Sequence, residues 1–458
     1  MSLEGERRQK SAQAELPLEF QGEALDKRRS GEEPTATKAD ASSGTDLLME
    51  EVVERDNVRA ALKRVRRNKG SPGIDGMSVE ELPRYLVEHW HELREELLAG
   101  SYQPRPVKRQ AIPKPDGGAR ELGIPCVVDR FVQQAILQVL QPKIDLSFSE
   151  HSHGFRPGRS AHDAIGAAQR FVQEGRRWVV DVDLEKFFDR VNHDVLMGRL
   201  AKRIEDTRLL RLIRRYLEAG MMADGVVMER REGAPQGGPL SPLLANVLLD
   251  EVDRELEKRG HAFARYADDC NVYVRSRRAG ERVFESLKGL YAGLRLKVNE
   301  SKSAVARPWE RTFLGYSFWV AKGREIKRRV APKALAKMKQ RVRHITRRNG
   351  GRSMDQITAE MRGYLSGWKE YFRLADTPKV YAGLDGWVRR RLIAVQLKQW
   401  KNGHAAYAGL RARGSPEWAA RAVAANLRCW WRMAAHGGVN AAFPSDHFTK
   451  LGVPKLAA

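Results

Sequence analysis

The residues best suited by type and spacing to do chemistry are four aspartates in an otherwise basic chain. The stretch R-Y-A-D-D-C-N-V-Y-V, residues 265–274, sets Asp268 and Asp269 side by side between two apolar, strand-like runs. The stretch W-V-V-D-V-D-L, residues 178–184, sets Asp181 and Asp183 on one face of a strand and Val180, Val182 and Leu184 on the other. Adjacent carboxylates raise each other's pKa unless a cation neutralises them. A pair of divalent ions does so directly, and magnesium prefers carboxylate and phosphate oxygens. A third carboxylate from a neighbouring strand would complete a two-metal site that holds the attacking and leaving oxygens of an in-line phosphoryl displacement. Alone, a D-D pair reads as a solvated turn and a D-x-D as an exposed strand face. The argument for a metal site comes from their joint presence.

The elements around these acids can be read from periodicity. Helical spacing begins at Leu47 and runs to about Val65, then stops at the loop N-K-G-S-P-G-I-D-G, residues 68–76. Residues 107–125 read as a hairpin with P-D-G-G at its turn. Residues 129–140 have helical spacing, and a second helix follows P-Q-G-G-P-L-S-P, residues 235–242. The stretch R-T-F-L-G-Y-S-F-W-V, residues 311–320, reads as a further strand pair. Beyond about Arg324 the pattern is helical, amphipathic and basic.

Charge is unevenly spread. The chain of 458 residues has a formal charge of +24, and residues 301–458 hold 32 Lys+Arg against 9 Asp+Glu. Residues 1–50 hold 7 against 11, in a polar, Glu- and Ser-rich segment that cannot bury enough apolar surface to fold alone. A basic C-terminal third with interleaved aromatics points to a polyanion, most often nucleic acid. No run of about 18–20 apolar residues is present, so no membrane span is expected. The start lacks an apolar signal region, and Cys126, Cys270 and Cys429 form no C-x-x-C pair. A reducing, cytoplasmic setting is the expectation.

The blocks G-S-P-G-I-D-G, I-P-K-P-D-G-G-A-R-E-L-G-I-P, H-G-F-R-P-G-R-S-A-H-D-A, V-D-V-D-L-E-K-F-F-D-R-V-N-H, A-P-Q-G-G-P-L-S-P-L-L-A-N, R-Y-A-D-D-C, L-K-V-N-E-S-K-S and F-L-G-Y-S-F follow one another in order. In this the sequence resembles the group II intron-encoded reverse transcriptase/maturase family, over roughly residues 50–458. The resemblance implies an α+β fold: a right-hand polymerase whose fingers and palm carry antiparallel sheet, followed by an all-helical thumb and maturase region. The expected division is a flexible extension over 1–48, fingers and palm over 49–322, thumb over 323–403 and a basic nucleic-acid-binding region over 404–458. It also implies an RNA-directed DNA polymerase that binds its intron RNA to assist splicing and copies it during retrohoming.

Residue by residue, Asp183, Asp268 and Asp269 match the family's metal-binding acids, for two Mg2+ ions with Mn2+ as a substitute, and Asp181 is the runner-up. Phe188 matches the ring that excludes a ribose 2′-OH. Lys114 and Arg120, flanking the fingers turn, match the cations that grip the incoming triphosphate, and Gln236 the glutamine beside the nucleotide sugar. Lys302 falls where polymerases often carry a lysine near the leaving group, with a structural role equally open. Arg156 and Arg159 read as template contacts, or alternatively as arginines that cap the fingers. Arg389, Arg390 and Arg391 read as RNA contacts, whereas Trp368, Tyr371 and Trp387 read as helix-packing core. The implied partners are group II intron RNA, an RNA template with a DNA or RNA primer, target DNA and dNTPs. No Cys-rich endonuclease block follows, so the compact, endonuclease-lacking, group IIC-like subclass is expected. Two other readings stay open: a splicing cofactor with a vestigial polymerase, and a stand-alone retron, diversity-generating or defence-associated reverse transcriptase.

Overall fold

The structure is a computed structural model that describes residues 47–113, 119–223, 226–230 and 232–457. Lys114 and nearly all of the expected extension lie outside the described residues, as does the side chain of Arg120. From Thr45 onward the chain forms one compact unit.

The sheet that carries the acids is antiparallel. Its strands are β3 (Trp178–Val182), β6 (Ala262–Tyr266), β7 (Asp269–Val274) and β8 (Ala304–Ala306), in the order β6-β7-β3-β8. Alternation along β3 gives the sheet two unlike faces. Val180, Val182 and Leu184 enter the large core with Leu248, Val252 and Leu287, from the helices Ser241–Lys258 and Arg277–Gly293. The opposite face carries Val179, Ala264 and Tyr273, roofed by Ala164, Ala168 and Val172 of the helix Ala161–Gln173. This helix starts in a capping box between Ser160 and Asp163. Its roof covers one end of the face, and the acids stand at the other.

The two strands of the hairpin expected over residues 107–125 form, and its P-D-G-G turn lies outside the described residues. Strands β1 (Val107–Pro113) and β2 (Ala119–Ile124) pair antiparallel, Lys108 with Ile124 through Pro113 with Ala119. They continue into β4 (Met221–Ala223) and β5 (Val226–Met228).

Two expectations change. The helix expected from Leu47 is broken: Leu48–Val52 and Arg55–Asn68 are separate, because the Glu54 carboxylate accepts from the amides of Asp56 and Asn57 and starts a new helix. The strands also do not stop at Arg324. Strand β9 (Tyr316–Val320) pairs with β10 (Ile326–Val330), Ile326 opposite Val320 and Val330 opposite Tyr316. The three basic residues inside I-K-R-R-V hid an alternation that buries only Ile326 and Val330.

Beyond β10 the described chain is helical. The helices Pro332–Ile345, Met354–Tyr371 and Pro378–Gln399 share a core of Met338, Val342, Met361, Leu365 and Leu392. Trp368 packs there, its ring 4.8 Å from that of Phe372, and Tyr371 and Trp387 pack at its edge. Among the described residues no helix is long and apolar enough to cross a membrane.

Candidate active site

Register brings the acids together. Strand β3 pairs with β7 as Asp181 with Asn271 and Val182 with Cys270, so one step further Asp183 faces Asp269 across the strands. Strand β6 pairs with β7 up to Tyr266 with Asp269, leaving Ala267 and Asp268 as a two-residue turn. Two adjacent carboxylates therefore sit at a hairpin tip, opposite a third at the end of the central strand.

The electrostatics single out Asp269. Its carboxyl is pushed up to about 7, first by desolvation and then by the carboxylates of Asp268, Asp181 and Asp183. The residue stands exposed at the rim of the sheet. The repulsion from these neighbouring carboxylates is the part of the shift that a bound cation would reverse. Asp181 differs from its strand neighbour. Arg311 donates from Nε to its Oδ2 at 2.7 Å, and the Asn271 amide donates to its Oδ1 at 2.8 Å. Asp183 accepts no side-chain hydrogen bond from the described residues. Its backbone is fixed instead: the Ser303 hydroxyl accepts from its amide at 3.0 Å, and its carbonyl accepts from the amide of Asn299 at 2.8 Å.

This donor set suits magnesium. It is all oxygen, and its carboxylates crowd one another. Among the described residues no three acid, histidine or cysteine groups converge tightly enough to chelate an ion unaided. Magnesium is ordinarily held by one or two carboxylates together with substrate phosphates and water rather than by an all-protein cage.

The other predicted residues divide. Phe188 lies in a short turn after β3, its ring edge-on to Phe187 with centroids 5.0 Å apart. Its carbonyl accepts from the amide of Ala234 at 2.7 Å, which joins this turn to the A-P-Q-G-G segment. The Gln236 carbonyl accepts from the amide of Gly123 in β2 at 2.9 Å, which sets Gln236 against the base of the fingers hairpin. Gly237, at φ +129, has no room for a Cβ, which would come within 2.8 Å of the Gly123 carbonyl oxygen. Arg120 pairs with Ile112 within that hairpin. Lys302 is exposed on the segment that carries Asn299 and Ser303, and its carbonyl accepts from Arg311.

The arginines read as RNA contacts are mostly engaged within the protein. Every donor nitrogen of Arg156 is occupied: Nε and Nη2 by the Asp145 carboxylate, Nη2 also by the Asp145 carbonyl, and Nη1 by the carbonyls of Ser149 and Ser152. The side chain is 6% exposed. This corrects the template-contact reading for Arg156: as the alternative reading had it, the residue braces the fingers. Arg159 donates to the Glu150 carbonyl at 2.9 Å and is half-buried. Arg389 donates to the Phe443 carbonyl, Arg390 to the Trp431 carbonyl and Arg391 to Thr346. Each fastens the helix Pro378–Gln399 to a different neighbour, because consecutive helix positions point about 100° apart.

Arg311, Ser303, Asn271 and above all Arg265 are functional candidates that the sequence reading missed. A signal for Arg265 was present: an arginine inside the apolar strand A-F-A-R-Y requires a buried acid, and L-L-D-E-V-D-R supplies one on the preceding helix.

Residues 112–318 match the pattern of the reverse transcriptase (RNA-dependent DNA polymerase) family, and residues 335–414 that of the group II intron, maturase-specific domain. Relatives include protein YkfC of Escherichia coli (strain K12), 33% identical over 312 residues, which are 59% of this chain and 82% of YkfC. The group II intron-encoded protein LtrA of Lactococcus lactis subsp. cremoris is 36% identical over 181 residues, 39% of this chain and 29% of LtrA. The putative COX1/OXI3 intron 1 protein of Saccharomyces cerevisiae is 33% identical over 204 residues, 44% of this chain and 24% of that protein. The chain thus spans less than a third of these two intron-encoded relatives. Reverse transcriptases in general depend on divalent metal ions. With its reverse transcriptase domain followed by a maturase-specific domain, the chain belongs to the group II intron reverse transcriptase/maturase family.

Proposed function

We propose that this chain copies RNA into DNA with a site built on Asp183, Asp268 and Asp269, and that it binds its group II intron RNA to assist splicing and to be copied during retrohoming. The observation that carries the reading is the register that sets Asp183 opposite Asp269, beside the Asp268 turn. These three carboxylates would hold two Mg2+ ions, with Mn2+ as a substitute, and the ions would supply charge stabilisation to the reacting oxygens. Asp181, paired with Arg311 and Asn271, would keep β3 and β7 in place rather than ligate.

The reaction joins the primer 3′ oxygen to the α-phosphorus of a dNTP and breaks the bond from that phosphorus to the β-phosphate bridging oxygen. Pyrophosphate leaves, and the 3′-hydroxyl proton passes to solvent. Phe188 and Gln236 would border the sugar, the ring selecting dNTPs by bulk. Lys114 and Arg120 would neutralise the triphosphate, a point charge and a donor fork suited to phosphate oxygens. Lys302 would stand near the leaving group.

RNA would be gripped through exposed cations of the thumb, such as Lys333 and Lys337 at adjacent turns of the helix Pro332–Ile345. Phosphate and 2′-OH contacts suit an A-form duplex. Target DNA would use the same basic region. The deciding experiment measures dNTP incorporation on a primed RNA template by the wild type and by Asp268→Asn. Incorporation by the wild type alone is expected. Equal incorporation by both, or none by either, would leave the splicing-cofactor reading.

A further inference from the structure

Arg265 precedes the catalytic turn by two residues, and none of its surface reaches solvent. Its guanidinium is used in full. Nε donates to both Asp253 carboxylate oxygens at 2.8 and 2.9 Å, and Nη2 to Asp253 Oδ2 at 2.6 Å and to Ser152 Oγ at 2.7 Å. Nη1 donates to Asn246 Oδ1 at 2.9 Å and to the carbonyl oxygen of Ala267 at 2.8 Å. Asp253, Asn246 and Ser152 are themselves buried. Asp253 and Asn246 belong to the helix Ser241–Lys258, and Ser152 to the segment that runs beside β6.

The last of these bonds falls on the peptide that joins Ala267 to Asp268. Two-residue turns change type by rotating this central peptide, a soft motion that would carry Asp268 with it. Here Ala267 is held at φ +57, a region an L-residue enters only under constraint, while Asp268 has no positive φ. A second constraint presses from the other side. The Asn246 amide donates to the Gly154 carbonyl at 2.9 Å, and Gly154 lies so close to the turn that a Cβ on it would come within 2.2 Å of the Ala267 nitrogen. The turn is therefore clamped at its carbonyl by Arg265 and backed at its amide by Gly154.

We propose that Arg265 is the positioning residue of the active site: anchored on Asp253, Asn246 and Ser152, it locks the peptide before Asp268 so that Asp268 and Asp269 are held opposite Asp183 against their mutual repulsion. The inference rests on reading those aspartates as the ion-holding set. An ion then meets a prearranged site, and the turn does not reorganise during reaction.

The test uses the full chain and two variants that disturb the turn by different routes. Arg265→Lys keeps a buried cation for Asp253 but cannot supply all the donors, and Gly154→Ala leaves the Arg265 side chain unchanged but pushes on the Ala267 amide. Folding is checked by circular dichroism and thermal unfolding, and Mn2+ binding without nucleotide by electron paramagnetic resonance. Turnover and KM for dNTP are measured on a primed RNA template. Folded variants should bind Mn2+ about tenfold more weakly and turn over about 10- to 100-fold more slowly. Their KM for dNTP should be unchanged. Wild-type Mn2+ affinity and turnover in a folded variant would overturn the proposal. If Arg265→Lys does not fold, Gly154→Ala decides by the same readouts. A wild type that binds Mn2+ but does not polymerise would remove the polymerase reading, while weaker Mn2+ binding in the variants would still support the clamp.

Discussion

Arg311 donates from Nε to Asp181 Oδ2 at 2.7 Å, and this ion pair gives the two carboxylates of the D-V-D strand different surroundings. Asp181 is compensated from the loop that follows β8 and across the sheet from Asn271. Asp183, two residues on and on the same face, has a fixed backbone and adds to the negative charge around Asp269. Replacing Asp183 by Asn should lower polymerisation by at least about 10³-fold, the scale of losing a group that stabilises charge in the reaction itself. Asp181→Asn should lower it by about 10- to 100-fold, as for a group that orients ligands. Single-turnover incorporation by the two variants would check the order, and the reverse order would exchange their assignments.

Asp269 makes the site sensitive to pH. A carboxyl held near 7 is largely protonated at pH 6, so a cation must displace a proton to bind there. Metal affinity should rise about tenfold per pH unit below 7 and level off above it. Stability of the metal-free protein should move the other way. Between the unfolded-state value of about 4 and the folded value the native state binds the extra proton, so this contribution is lost as pH rises toward 7. Comparing metal-free unfolding of the wild type and Asp269→Asn from pH 5 to 8 isolates it: the wild type should lose stability relative to the variant as pH rises.

Phe188 packs edge-on against Phe187 in the turn after β3, and the A-P-Q-G-G segment is bonded to its carbonyl. Replacing it by Ala removes bulk beside the proposed sugar position without touching the acids. Preference for dNTP over NTP should fall by about 10- to 100-fold, the range that steric discrimination by a small group supplies. Competing incorporation of dATP and ATP on one template measures this, and an unchanged ratio would leave Phe188 as a packing residue.

Arg156 braces the fingers, so its loss should be read in stability before template affinity. Removing one partner of a buried, hydrogen-bonded pair typically costs about 3–5 kcal/mol. Arg156→Ala should approach that cost in denaturant unfolding. Its affinity for primed RNA, measured where the variant is folded, should stay within about twofold of the wild type, because no donor is left over for a phosphate. A large affinity loss with unchanged stability would restore the template contact.

Much was legible in the sequence because the signals are local. Period-2 alternation put Asp181 and Asp183 opposite Val180, Val182 and Leu184, and composition put the basic surplus in the helical C-terminal third. The ordered blocks carried the family. What stayed hidden depends on partners distant in the chain. I-K-R-R-V shows its strand character only when Tyr316–Val320 lies beside it. Arg156, Arg389, Arg390 and Arg391 look in one dimension like free charge for nucleic acid. In the fold the Asp145 carboxylate and nearby carbonyls take up the donors of Arg156, and Arg389, Arg390 and Arg391 each donate to another element. Arg265 is the clearest case. The sequence by itself determined which acids gather and that an arginine stands next to them. Only the tertiary structure decided that this arginine is buried, that Asp253 neutralises it, and that its remaining donors hold the turn on which Asp268 stands. The reason is physical: side-chain type follows from the chain, whereas burial and hydrogen-bond partnership arise when segments far apart in sequence are packed together.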